Sequence, residues 1–110
     1  MSLLVVLCTF PDKDTAQRIG RMLVEEGLAA CVNVLPGVQS IYRWEGKMES
    51  AEEVLTLVKT TKDTYPRLET RLKELHPYDV PEIIALPVER GEAAYARWVG
   101  EMTAGSPNDE

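Results

Sequence analysis

Residues 29–61 read AACVNVLPGVQSIYRWEGKMESAEEVLTLVKTT. The architecture turns on this segment. Val, Ile, Thr, Tyr and Trp are concentrated in it, residue types that fit a pleated surface, so it reads as two strands. The first arm begins at Cys31. Pro36-Gly37 interrupts it and predicts a bulge or bend. Val38, Ser40, Tyr42 and Trp44 then alternate with Gln39, Ile41, Arg43 and Glu45. EGKMES (45–50) supplies the turn, with Gly46 free to take positive φ. Val54 to Thr61 forms the return. Each arm exceeds the usual strand length of roughly five or six residues. So small a domain cannot cover both arms along their length, and exposed edges invite pairing with another chain. Length alone therefore predicts that this hairpin joins subunits into a closed oligomer.

On either side of the hairpin lie a strand and a helix. Leu3 to Cys8 is a near-continuous apolar run, as expected of a central strand covered on both faces. In PDKDTAQ (11–17), Asp12 or Asp14 can cap a helix, with Gln17 three residues beyond Asp14. Ala16, Ile19, Gly20 and Leu23 share one face, and Gly27 is placed to end it. After the hairpin, KDTYPRLETRLKELHPYDVP (62–81) predicts a second helix. Asp63 or Thr64 caps it, Pro66 fits its first turn, and Leu68, Leu72 and Leu75 form its buried stripe. Its charges read as a solvated face, and Pro77 ends it. Glu82 to Val88 predicts a fourth strand. GEAAYARWVGEM (91–102) predicts a short third helix with Tyr95, Trp98, Val99 and Met102 on one side. Residues 1–102 thus form a single domain, and 103–110 a flexible polar tail.

The element order β-α-β-β-α-β with an added helix predicts an α+β, ferredoxin-like sandwich, two helices on one face of an antiparallel sheet. In that topology the first strand lies between the third and fourth, antiparallel to the fourth. The end of the first strand, at Cys8 and Thr9, then meets the start of the fourth at Glu82. The end of the second helix delivers His76, the chain's single histidine, to the same edge. A thiolate, an imidazole and a carboxylate make a ligand set for copper or zinc, so Cys8, His76 and Glu82 are the candidate metal ligands. The competing reading makes Cys8 a small core residue and His76 a helix-terminal cation. Three ligands leave the shell open, which suits weak or exchangeable binding. Cys31 starts the distant second strand, so a Cys8–Cys31 disulfide is not expected. Tyr42, Trp44 and Lys59 are candidates for binding a ligand in a cleft between subunits. Plainer roles compete: aromatic subunit contacts for the first two, and a structural ion pair or snorkelling side chain for Lys59. Tyr78 and Pro81 are read as shaping the turn.

Composition excludes several classes. Formal net charge is −6 and 45% of the residues are hydrophobic. An acidic chain with an ordinary apolar fraction reads as globular and does not suit nucleic acid or an anionic membrane surface. The apolar start has no basic flank and is too short to span a bilayer, so neither a signal peptide nor an anchor is read there. Two widely separated cysteines then point to reduced thiols in the cytoplasm. No glycine-rich phosphate cradle and no nucleophile beside a base is evident, so an enzyme is not expected.

Taken together and in order, CTFPDKDTAQ (8–17), GLAACVNVLPGVQSIYRWEGK (27–47), VLTLVKTT (54–61), HPYDVPEIIALPV (76–88) and YARWV (95–99) resemble the CutA divalent-ion tolerance proteins, over about residues 3 to 102. The resemblance implies a ferredoxin-like fold assembled as a homotrimer, and a link to copper tolerance and copper binding. It implies Cys8 and His76 as ligands of Cu2+ or another divalent cation. Where some members carry two adjacent histidines this chain has Leu75-His76, and Glu82 is the substitute that topology offers. The expected function is a cytoplasmic, non-enzymatic trimer that binds a divalent metal, copper foremost. The alternative is a regulatory or scaffold trimer whose clefts take a small anion or a protein partner.

Overall fold

The computed structural model describes residues 2–103. In chain order they form β1 (Leu3–Phe10), α1 (Lys13–Glu25), β2 (Cys31–Trp44), β3 (Lys47–Thr61), α2 (Tyr65–Leu75), β4 (Ile83–Pro87) and α3 (Ala93–Thr103). The four strands make one sheet in the order β2-β3-β1-β4, and β1 runs antiparallel to both β3 and β4. This is the expected α+β, ferredoxin-like arrangement, with β1 between β3 and β4.

Local chemistry accounts for most element ends. Asp12 rather than Asp14 caps α1, its Oδ1 accepting from the Thr15 N–H at 2.7 Å. Gly27 takes φ 73° just past that helix, a left-handed conformation that glycine adopts without a Cβ clash. The hairpin turn is tighter than the expected six residues. Glu45 and Gly46 alone reverse the chain, with φ 50° and 80°, the positive pair that matches strand twist in a two-residue turn. β3 consequently starts at Lys47 and runs 15 residues. The bulge falls where Pro36-Gly37 predicted it, as a register shift between Leu35 and Val38. Pro66 sits in the first turn of α2. His76 is extended, with φ −72° and ψ 137°, because a residue before proline is pushed out of the helical region.

The core lies between the sheet and the two helices α1 and α2. Val6, Cys8 and Phe10 of β1 and Val54 and Val58 of β3 meet Ile19, Leu23, Leu68 and Leu72. Strand alternation puts the intervening residues on the opposite face. There Leu35, Ile84 and Leu86 are 39%, 48% and 46% exposed. The radius of gyration is 14.7 Å, above the value of about 13 Å for a compact domain of 100 residues. The distal hairpin accounts for the excess, giving a molecule 49 Å long.

The third helix forms where the sequence reading put it, with most of its apolar flank exposed. Val99, Gly100 and Thr103 are its buried residues, while Tyr95, Trp98 and Met102 stay largely exposed. Periodicity located an apolar flank, but within one chain nothing covers most of it. Thr103, assigned to the tail, belongs to this helix and is buried, its carbonyl accepting from the Thr64 hydroxyl at 3.3 Å. The rest of the expected tail lies outside the described residues.

Candidate functional site

Topology brings the predicted ligands to one corner. Cys8 stands opposite Ile83 in the β1–β4 register, one residue from Glu82. Pro77 turns the chain after α2 and directs the His76 ring onto the end of β1. That ring stacks on Phe10 with centroids 4.6 Å apart and planes at 16°.

Among the described residues the three side chains do not form a ready-made metal chelate. The Cys8 side chain faces the helix side of the sheet and is fully buried. Burial first, and the Glu82 charge second, push its thiol up to about 12. At neutral pH it is a protonated core residue, because a thiolate there would lose its solvation. His76 is 8% exposed, and both ring nitrogens are engaged. Nε2 lies 2.7 Å from the Thr9 carbonyl and Nδ1 accepts from the Tyr78 N–H at 3.1 Å. A carbonyl can only accept and an N–H can only donate, so the ring is the neutral Nε2–H tautomer. No lone pair is left for a metal. Burial lowers its pKa, against the opposing effects of the Thr9 carbonyl and Glu53. Helix-terminal cation is therefore not its role either. Glu82 is exposed and lines an open cleft rather than the core. Among the described residues no three His, Cys, Asp or Glu side chains are placed to hold a metal ion.

That cleft holds two of the three cleft residues expected from the sequence, Tyr42 and Trp44, together with an acidic lining that the sequence reading did not single out. It has a volume of about 760 Å³ and opens beyond the end of β1, where the hairpin leaves the sheet. Tyr42 and Trp44 form one wall, and Tyr78, Asp79, Val80 and Glu82 the other. A hydrogen-bonded brace joins the walls. The Tyr78 hydroxyl donates to Glu53 Oε2 at 2.7 Å, and the Ser40 hydroxyl donates to Glu53 Oε1 at 2.6 Å. Burial, then Glu53, raises the Tyr78 pKa well above the ordinary phenol value, so the hydroxyl keeps the proton it donates. Tyr78 therefore does more than shape a turn. A two-residue turn at 45–46 sets a register with Ser40 opposite Ala51 and one diagonal step from Glu53, which the longer turn read from EGKMES concealed.

The remaining candidates separate. Tyr42 and Trp44 line the cleft, and Lys59 does not. Lys59 pairs with Cys31 and with Val5 at the other end of the sheet, and its ammonium donates to the Asn33 side-chain oxygen. Of the cleft trio read from the sequence, two are together and the cation is elsewhere. Both cysteines are free, as their separation predicted.

Fold and cleft define the class first: a ferredoxin-like α+β domain with an overlong hairpin and an acidic, aromatic-walled cleft. Residues 4–102 match the family model described as CutA1 divalent ion tolerance protein. The divalent-cation tolerance protein CutA of Thermus thermophilus is 52% identical over 99 residues, covering 90% of this chain and 96% of that protein. Protein CutA of Homo sapiens is 46% identical over 95 residues, covering 86% of this chain and 53% of that longer protein. Among solved structures, the Thermus thermophilus protein superposes with a TM-score of 0.89 at 51% identity, covering 92% of this chain and 98% of that one. CutA1 from Oryza sativa gives 0.93 at 40% identity, covering 96% and 97%. The chain belongs to the CutA1 divalent ion tolerance protein family.

Proposed function

We propose that the protein serves divalent-cation tolerance in the cytoplasm as a non-enzymatic homotrimer that binds its cation, copper foremost, as transient cargo. Membership of the CutA1 family is the observation that carries this reading. The geometry adds the terms on which a cation would bind at the corner of Cys8, His76 and Glu82. The imidazole would have to release Thr9 or Tyr78, and the buried thiol its proton. Each step opposes binding, so the affinity is weak and falls further in acid.

The trimer is supported by surfaces that a single chain leaves unsatisfied. The sheet ends in β2 on one side and β4 on the other, and both present unpaired edges among the described residues. Pairing one edge type with the other on a neighbouring copy is a heterologous contact that closes into a ring. The face bearing Leu35, Ile84 and Leu86 gains cover in the same step. The rival reading of a cleft for a small anion is disfavoured by the acidic lining and by the placement of Lys59. A protein partner on Tyr42 and Trp44 is what remains of it.

Calorimetric titration with Cu2+ and Zn2+ tests the metal reading. Wild type and Cys31→Ser bind, whereas Cys8→Ser and His76→Ala do not. Unchanged binding in both of the latter variants rejects the corner as the site.

A further inference from the structure

The His76 ring is closed off by contacts that lie wholly within one chain. We propose that Tyr78 is a latched lid over this imidazole, a positioning residue whose side chain is tied down by Glu53 and so keeps the ring's one basic lone pair from any incoming electrophile, a cation included. The lid itself stands on intrachain geometry, and its part in controlling cation loading rests on the cation-binding reading above.

Three contacts meet at Tyr78. Its N–H donates to His76 Nδ1 at 3.1 Å. Its ring tilts against the imidazole, with centroids 4.8 Å apart and planes at 47°. Its hydroxyl donates to Glu53 Oε2 at 2.7 Å, across 25 residues of sequence. The Ser40 hydroxyl holds the other oxygen of that carboxylate at 2.6 Å, so β2 and β3 both anchor the lid. The anchor matters because residues 76–82, between α2 and β4, have no regular secondary structure. The N–H contact to Nδ1 spans only two residues, and such local contacts open at low free energy. A hydrogen bond from the ring to a carboxylate on the sheet is of the stronger kind and makes opening rarer.

The lid covers the atom that matters. Nε2 carries the ring proton and donates it to the Thr9 carbonyl at 2.7 Å, which leaves Nδ1 as the single basic nitrogen of the neutral ring. Freeing Thr9 alone therefore exposes no lone pair. Phe10 stacks on the same imidazole, and His76 is buried. An electrophile reaches the ring when the Tyr78 N–H leaves Nδ1, and the latch at Glu53 sets how often that happens. Because every contact is intrachain, the lid needs neither an open surface nor a neighbouring copy.

The chain has a single histidine, so acylation of its imidazole by diethyl pyrocarbonate reads the lid directly. The full chain is treated at neutral pH without metal, and modification of the His76 peptide is timed by mass spectrometry. Wild type reacts about tenfold or more slowly than N-acetylhistidine. Tyr78→Phe, which keeps the ring and the N–H and removes the hydroxyl, and Glu53→Ala each speed the reaction by about tenfold. The double variant is no faster than the faster single, because both cut the same bond. Thr60→Val removes a buried hydrogen bond at the other end of β3 and leaves the rate unchanged, which separates lid opening from general destabilisation. A wild-type rate equal to that of N-acetylhistidine, unaltered rates in both latch variants, additive effects in the double variant, or the same acceleration in Thr60→Val overturns the proposal. Calorimetric titration of Tyr78→Phe with Zn2+ reports separately on the cation reading. Tighter binding alongside faster acylation supports both, whereas faster acylation with no Zn2+ binding upholds the lid and removes the cation from the corner.

Discussion

The strand β3 crosses two regions that share a backbone and little else. From Val54 to Thr60 its alternate residues are buried against β1 and the helices, and its polar groups there are paired: Thr56 Oγ1 donates to the Cys8 carbonyl at 2.7 Å, and Thr60 Oγ1 to the Leu28 carbonyl at 2.8 Å. From Lys47 to Glu53 the same strand is mostly exposed and lines an acidic cleft. The near region holds every residue type that suggests a soft-metal site, but burial keeps the thiol protonated and hydrogen bonds saturate the imidazole. The distal region holds no thiol or imidazole, but its groups are accessible. Ligand chemistry is decided by solvation and free lone pairs as much as by which residues converge.

The sharpest way to break this contrast is to charge the uncovered sheet face. Ile84→Asp with Leu86→Asp turns the proposed trimer into monomers in light scattering, a threefold drop in mass. A surviving trimer would remove that face from the assembly contact. Next in size is the near region itself. Phe10→Ala removes a fully buried ring and the stacking partner of His76. It lowers the unfolding free energy by about 3–5 kcal/mol in urea titration at fixed protein concentration.

His76→Ala comes third, at about 1–3 kcal/mol, since it strands the Thr9 carbonyl and the Tyr78 N–H in a buried setting. It carries a pH signature. The folded state holds the imidazole pKa below its ordinary value of 6.5. The unfolded chain therefore takes up the proton first as pH falls. The contribution is fully present above about 6.5 and is lost progressively below it, and the variant lacks this component. The smallest effect is Thr56→Val, about 1 kcal/mol, from one buried hydrogen bond. A null result there with a large one at His76 would place the region's polar stability in the ring network and not in the strands.

Much of this was readable in the chain. The long hairpin, the bulge at Pro36-Gly37, the stripe Leu68, Leu72 and Leu75, the end of α2 at His76, and the neighbours of Cys8 in the sheet all follow from periodicity and local backbone preference. Those signals act within a few residues and survive any packing. The burial of the thiol and the tautomer of the ring were not legible, because both depend on partners distant in sequence: Thr9 lies 67 residues from His76. The same holds for Tyr78, whose partner Glu53 is 25 residues away, and for the flank of α3 that stays exposed.

The sequence by itself determined the order of elements, the sheet topology and the family, because strand alternation, helix periodicity and turn residues are local properties of the covalent chain. Only the tertiary structure decided which polar groups keep a free lone pair. It sealed the Cys8 thiol and the His76 ring, and it opened a cleft at the one place where the hairpin runs past the end of its neighbour. Solvation at a side chain is set by everything that packs around it, and no local run of residues encodes that.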